Sequence, residues 1–145
     1  MNGPSPYRVL VTGSRDWPKP ADVFAALNEV QRQAGNRLLV VVHGVCPAGA
    51  DAHARQWARA RQSQGEAVIE DPHRANWRPG GVLDRSAGYR RNAEMVRLGA
   101  DVVLAFTGPC TKPNCRQPKP HESHGTSHCV ALAEQAGIPV RRYTA

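Results

Sequence analysis

The chain has 145 residues, which suits one domain and leaves no room for a second independent core. Hydrophobic residues make up 41% and charged residues 21%, which argues against disorder, and no apolar run approaches the roughly 20 residues that cross a bilayer. The formal net charge is +7, but the arginines are scattered rather than clustered, so the excess reads as a solvated basic surface that also favours a small anionic ligand.

The first six residues are expected to be a frayed tail, with residues 7–145 as a single domain. They lack a basic start followed by an apolar stretch, so no secretory signal is read and the cytoplasm is the default address. In that reducing setting the four cysteines point to metal or packing rather than a disulfide framework.

The run from Tyr7 to Gly13 is apolar and ends in a turn signal, as a buried first strand would. Pro20 suits a helix start; Val23, Leu27, Val30 and Ala34 share a face before Gly35 ends it. Leu38 to Val42 reads as a parallel strand covered on both faces and leads into His43 and Gly44. A second helix is expected from about Gly49 to Gln62, and a third strand at Ala67 to Ile69. Asp71 to Ser86 is rich in Pro, Gly and Arg, the marks of a loop, and its length points to function. A helix over Gly88 to Leu98, a strand over Asp101 to Phe106, a helix over Thr126 to Gln135 and a strand starting at Ile138 complete the pattern. Strands alternating with helices imply right-handed crossovers and a three-layer α/β sandwich around a mainly parallel sheet of about five strands. Ligands of such sheets bind outside the carboxyl ends of the strands.

Three glycine-marked turns fall at those ends: Thr12 to Asp16, His43 to Asp51, and Ser123 to Ser127. Glycine permits close backbone approach and helix N-termini favour anions, so the turns suit phosphate. Each alone also reads as an ordinary tight turn. Neither the dinucleotide fingerprint nor the Walker lysine pattern is present, which counts against a dehydrogenase or a P-loop ATPase.

Taken in order, VLVTGSRDW at 9–17, HGVCPAGAD at 43–51, AGYRRNAEMV at 87–96 and HGTSH at 124–128 resemble the SLOG superfamily, most nearly its YspA-related branch of small bacterial and phage proteins. The resemblance implies a Rossmann-like fold akin to the LOG phosphoribohydrolases and to DprA, and binding of a nucleotide or nucleotide-derived ligand in sensing, signalling or phage–host conflict. It places Gly13, Ser14 and Arg15 in a first ligand loop, Gly44, Gly49 and Asp51 in a second, Arg91 and Asn92 at a helix start, and Gly125 with Thr126 in a phosphate turn. The second loop departs from the glycine-richer family pattern at Val45, Cys46 and Pro47, and the glutamate that serves hydrolysis in LOG enzymes has no evident counterpart after Thr126.

Chemistry assigns Arg15 and Arg91 to phosphate oxygens and Ser14 and Thr126 to hydroxyl hydrogen bonds. Asp51 reads either as an acceptor for a ribose hydroxyl or general base, or as a first-turn acid that complements the helix dipole. The leading reading is therefore a nucleotide-binding protein. The first alternative is a phosphoribohydrolase that cleaves the N-glycosidic bond of nucleoside monophosphates, with Asp51 and Arg91 as catalytic residues. The second is single-stranded nucleic-acid binding, which draws on the charge but lacks a basic-aromatic surface. A homodimer is compatible with the fold, and no membrane partner is expected.

Residues 108–124 are a long insertion without periodicity. Cys110, Cys115, His121 and His124 suit four-coordinate structural zinc, against the plainer reading of small residues in a Pro-rich loop. His128 and Cys129 are expected in packing, helix-end or ligand roles.

Overall fold

A computed structural model describes residues 4–109, 115 and 124–144. Five strands, β1 (Tyr7–Gly13), β2 (Leu39–His43), β3 (Val68–Pro72), β4 (Val102–Thr107) and β5 (Val140–Thr144), alternate with helices α1 (Pro20–Ala34), α2 (Gly49–Ser63), α3 (Ala87–Arg97) and α4 (His124–Gln135). All strand pairs are parallel, in the order β3-β2-β1-β4-β5. The order reverses between β1 and β4, which is where an open α/β sheet leaves a crevice at its carboxyl edge. The three-layer, Rossmann-like sandwich expected from the sequence is the architecture found.

Alternation along the central strands builds the two interior layers, because successive side chains point to opposite faces. Val9, Val11, Leu39, Val41, Val102, Leu104 and Phe106 pack with α1 and α2. Leu10, Val40, Val42 and Val103 face the other way, against Met95 and Val96 of α3 and Cys129 and Ala133 of α4. The α1 stripe of Val23, Leu27, Val30 and Ala34 is buried as its spacing demands, Pro20 sits in the first turn, and Gly35 closes the helix at φ 61°. Phe106, fully buried, lies edge-on to Trp17 at 5.4 Å and stacks on Tyr143 at 4.8 Å, so the floor below the carboxyl edge is aromatic and rigid.

Two boundaries differ from expectation near the site. Strand β3 continues through Asp71 and Pro72, residues read as loop, because its pairing with β2 runs as far as His43↔Pro72. Helix α4 opens at His124, so Gly125 and Thr126 lie in its first turn rather than in a turn preceding it. Between β3 and α3 the only regular element is one 3-10 turn at Pro79–Gly81.

Candidate functional site

The carboxyl edge opens into a cleft of about 790 Å³ lined by the turns after β1 and β2 and by the starts of α2, α3 and α4. Nine of the ten expected ligand residues line it; Gly49 stands behind it as a spacer.

The β1 turn is locked from within. Ser14 N–H donates to the Phe106 carbonyl at 3.0 Å, and the Ser14 carbonyl accepts from Trp17 and Ala50 N–H, each at 3.3 Å, which ties β1, β4 and α2 together. Gly49 makes this approach possible. It has φ +73°, and a Cβ there would stand 2.1 Å from the Ser14 carbonyl oxygen. The Ser14 hydroxyl is taken by a short hydrogen bond to the Asp16 carboxylate, so in this arrangement it orders the turn.

Asp51 organises the β2 turn. Its Oδ2 accepts from Gly44 N–H at 3.2 Å and Cys46 N–H at 3.3 Å, so the carboxylate replaces secondary structure for a loop that has none. Burial raises its pKa, while His43, the Cys46 N–H, Arg91 and the Gly44 N–H act in the opposite direction. Fully buried His43 accepts Val45 N–H on Nδ1 at 3.1 Å and lies 3.3 Å from Glu70 through Nε2, an arrangement that places the proton on Nε2. Within this loop Val45 sits at φ 58°, a left-handed conformation that a β-branched residue rarely adopts.

Arg91 and Asn92 bind the helices to the loops. Arg91 donates through Nη1 to the Gly44 carbonyl at 2.6 Å and through Nε to Asn92 Oδ1 at 2.9 Å, leaving Nη2 without a partner among the described residues. Asn92, buried, donates through Nδ2 to the Gly125 carbonyl at 3.2 Å and so joins α3 to the first turn of α4. Thr126 is buried at the cleft wall, and a Cβ on exposed Gly125 would meet nothing within 4 Å among the described residues.

Among the lining residues given no ligand role by the sequence are Trp77, Arg85 and Tyr89. The length of the Pro, Gly and Arg-rich loop points to function, yet nothing in its periodicity tells which side chain turns inward. Arg85 and Arg15 are exposed and make no hydrogen bond or ion pair among the described residues. Helices α2 and α3 open without a side-chain cap bond at Ala48 and Ser86. Cationic groups and helix N-termini thus converge where, among the described residues, the lining carboxylates are Asp16 and Asp51, engaged by Ser14 and by backbone amides.

Of the expected zinc ligands, Cys115 Sγ lies 3.4 Å from His124 Nε2, and Cys110 and His121 fall outside the described residues. Among the described residues no three His, Cys, Asp or Glu side chains group as a metal site. Cys129 is a core residue, and burial pushes its thiol up to about 11. His128 packs against Tyr89 at 4.4 Å, and burial lowers its pKa. No helix among the described residues is long and apolar enough to cross a membrane.

Fold and cleft together define an open α/β protein with an anion-friendly crevice at its topological switch point. The chain matches the family described as YspA, cpYpsA-related SLOG over residues 7–80. It is 45% identical over 134 residues to the Gene 61 protein of Mycobacterium phage D29, covering 92% of this chain and 93% of that one. The chain belongs to the YspA-related SLOG family.

Proposed function

We propose that the cleft binds a nucleotide or nucleotide-derived phosphate ligand and that the protein acts as a sensor or signalling member of its family. The carrying observation is the set of three cleft arginines: Arg15 and Arg85 make no hydrogen bond or ion pair among the described residues, and Arg91, whose charge also acts on buried Asp51, keeps Nη2 without a hydrogen bond among them, beside helix starts that lack side-chain caps. Guanidinium nitrogens left without a hydrogen-bond partner in a concave site suit phosphate oxygens. Titration calorimetry with nucleoside mono- and diphosphates tests the reading: Arg15→Ala and Arg85→Ala each weaken binding by about 1.5–3 kcal/mol and leave thermal stability unchanged. Affinity indifferent to both substitutions refutes it.

A second reading has one observation in its favour. Asp51 lines the cleft and burial raises its pKa, the direction of shift that general acid–base work by a carboxyl group calls for. In N-glycosidic hydrolysis, water would add to the sugar carbon as the bond to the base breaks, and the departing base would take a proton. Base release from nucleoside monophosphates that disappears in Asp51→Asn would promote this reading, and release no faster than in protein-free controls would remove it.

Structural zinc on Cys110, Cys115, His121 and His124 is part of the same proposal. Thiolate and imidazole ligands of one tetrahedral zinc stand about 3.5 Å apart on standard bond lengths, close to the separation of Cys115 and His124. With four protein ligands the metal would brace the segment entering α4 and hold no water for catalysis. Elemental analysis of untagged protein should give about one zinc per chain, and Cys115→Ser should abolish it; zinc-free protein of unchanged stability and affinity would contradict the assignment.

A further inference from the structure

The three tryptophans are in unlike states. Trp17 and Trp57 are buried, and their indole N–H groups are satisfied by the Lys19 carbonyl at 3.0 Å and Asn28 Oδ1 at 2.9 Å. Trp77 is 42% exposed at the cleft, and among the described residues its indole has no hydrogen bond and no aromatic neighbour. An apolar ring of this size left open to water costs free energy that a buried position would recover. Tyr89, the other exposed aromatic at the cleft, already packs on His128.

The surroundings hold the Trp77 backbone in place. Its carbonyl accepts Asp84 N–H at 2.7 Å. The Asp84 carboxylate in turn accepts from Ser86 N–H at 3.0 Å and the Ser86 hydroxyl at 2.7 Å, and pairs with Arg90 at 2.9 Å. Gly88, the second residue of α3, leaves the space the ring uses: a Cβ there would stand 3.2 Å from Trp77 Cη2 and 3.7 Å from Arg91 Nη2. Indole and guanidinium are therefore neighbours across one bare backbone position, a separation that a sugar can bridge between a ring and a phosphate.

We propose that Trp77 is the ring-recognition residue of the cleft, stacking the nucleobase of a ligand whose phosphate the arginines hold. The inference rests on the phosphate-binding reading and narrows it: the ligand carries an aromatic ring as well as an anionic group. Base stacking on an aromatic side chain tolerates every base, so the residue selects nucleotides over sugar phosphates without choosing among bases.

Calorimetry with adenosine 5′-monophosphate and ribose 5-phosphate, on wild type, Trp77→Ala and Trp77→Phe, tests this. The monophosphate binds wild type more tightly than ribose 5-phosphate. Trp77→Ala weakens it about five- to hundredfold and leaves ribose 5-phosphate unchanged. Trp77→Phe keeps most of the affinity, while the tryptophan emission change seen on binding to wild type vanishes, since the two remaining indoles are buried. Ribose 5-phosphate binding that needs Arg15 and Arg85, with no preference for the nucleotide, overturns the Trp77 assignment and leaves the phosphate reading intact. Equal weakening of both ligands by Trp77→Ala overturns it as well, and failure of both to bind wild type overturns the two readings together.

Discussion

The Arg91 guanidinium fills the space beside Gly44 that any side chain there would need: a Cβ on Gly44 would stand 2.4 Å from Nη1. The same nitrogen donates to the Gly44 carbonyl at 2.6 Å, so the arginine is oriented by the loop it braces. Gly44→Ala should push Arg91 aside. The expected outcome is a loss of about 1–3 kcal/mol in nucleotide affinity with a smaller loss of stability, read by calorimetry and thermal unfolding of the same variant.

Gly49 and Gly125 separate structural from ligand-driven need for glycine. Gly49→Ala meets the Ser14 carbonyl oxygen and strains a backbone at φ +73°, so it should cost more than about 2 kcal/mol of stability. Among the described residues Gly125→Ala meets nothing within 4 Å, and the position is helical, so the change should be neutral or stabilising by up to about 1 kcal/mol. Weaker nucleotide binding by that stable variant would mark Gly125 as a point of close ligand approach; unchanged affinity would place the ligand elsewhere in the cleft.

Val45 stores strain in the second loop. Placing an L side chain in the left-handed region costs roughly 1–2 kcal/mol, and glycine there gives back part of that gain through unfolded-chain entropy. Val45→Gly should therefore raise the melting temperature by about 2–4 °C, a gain near 1 kcal/mol for a chain of this size. A lower melting temperature would show that the valine side chain contributes more by packing than it costs in strain.

The pH response of Asp51 has a definite sign. Burial holds its folded pKa above the ordinary 3.8, so the folded chain carries more of its proton than the unfolded chain does. Its contribution to stability is full below the unfolded value and declines as pH rises through the folded one. Urea unfolding of wild type and Asp51→Asn at several pH values should show wild type losing ground to the variant as pH rises from about 4. Asp84 has the opposite sign, because the Ser86 hydroxyl, with Arg90, lowers its pKa, so only the difference between the two proteins isolates Asp51.

What the sequence reveals follows from which forces are local. Strand β1 and helix α1 are legible because the apolar run Val9 to Val11 leads into a glycine turn at Gly13 and because Pro20 and Gly35 mark both helix ends. The ligand loops are legible because glycines at strand ends leave a pattern. The roles of individual side chains are less so, since they depend on partners far along the chain. Ser14 is taken up by Asp16, Asn92 by the Gly125 carbonyl 33 positions away, and Asp51 by the amides of its own loop. Trp77 and Arg85 join the site through the path of an aperiodic loop, fixed by hydrogen bonds such as Asp84 to Trp77 that no spacing rule anticipates.

Backbone amide shifts in a nuclear magnetic resonance titration with adenosine 5′-monophosphate locate the ligand without altering the protein. Saturable shifts confined to residues 11–16, 44–51, 77, 85–95 and 124–126, which include the lining of the cleft, are expected. Shifts centred on the outer faces of α1 and α2, or none at millimolar nucleotide, would contradict nucleotide binding at the cleft.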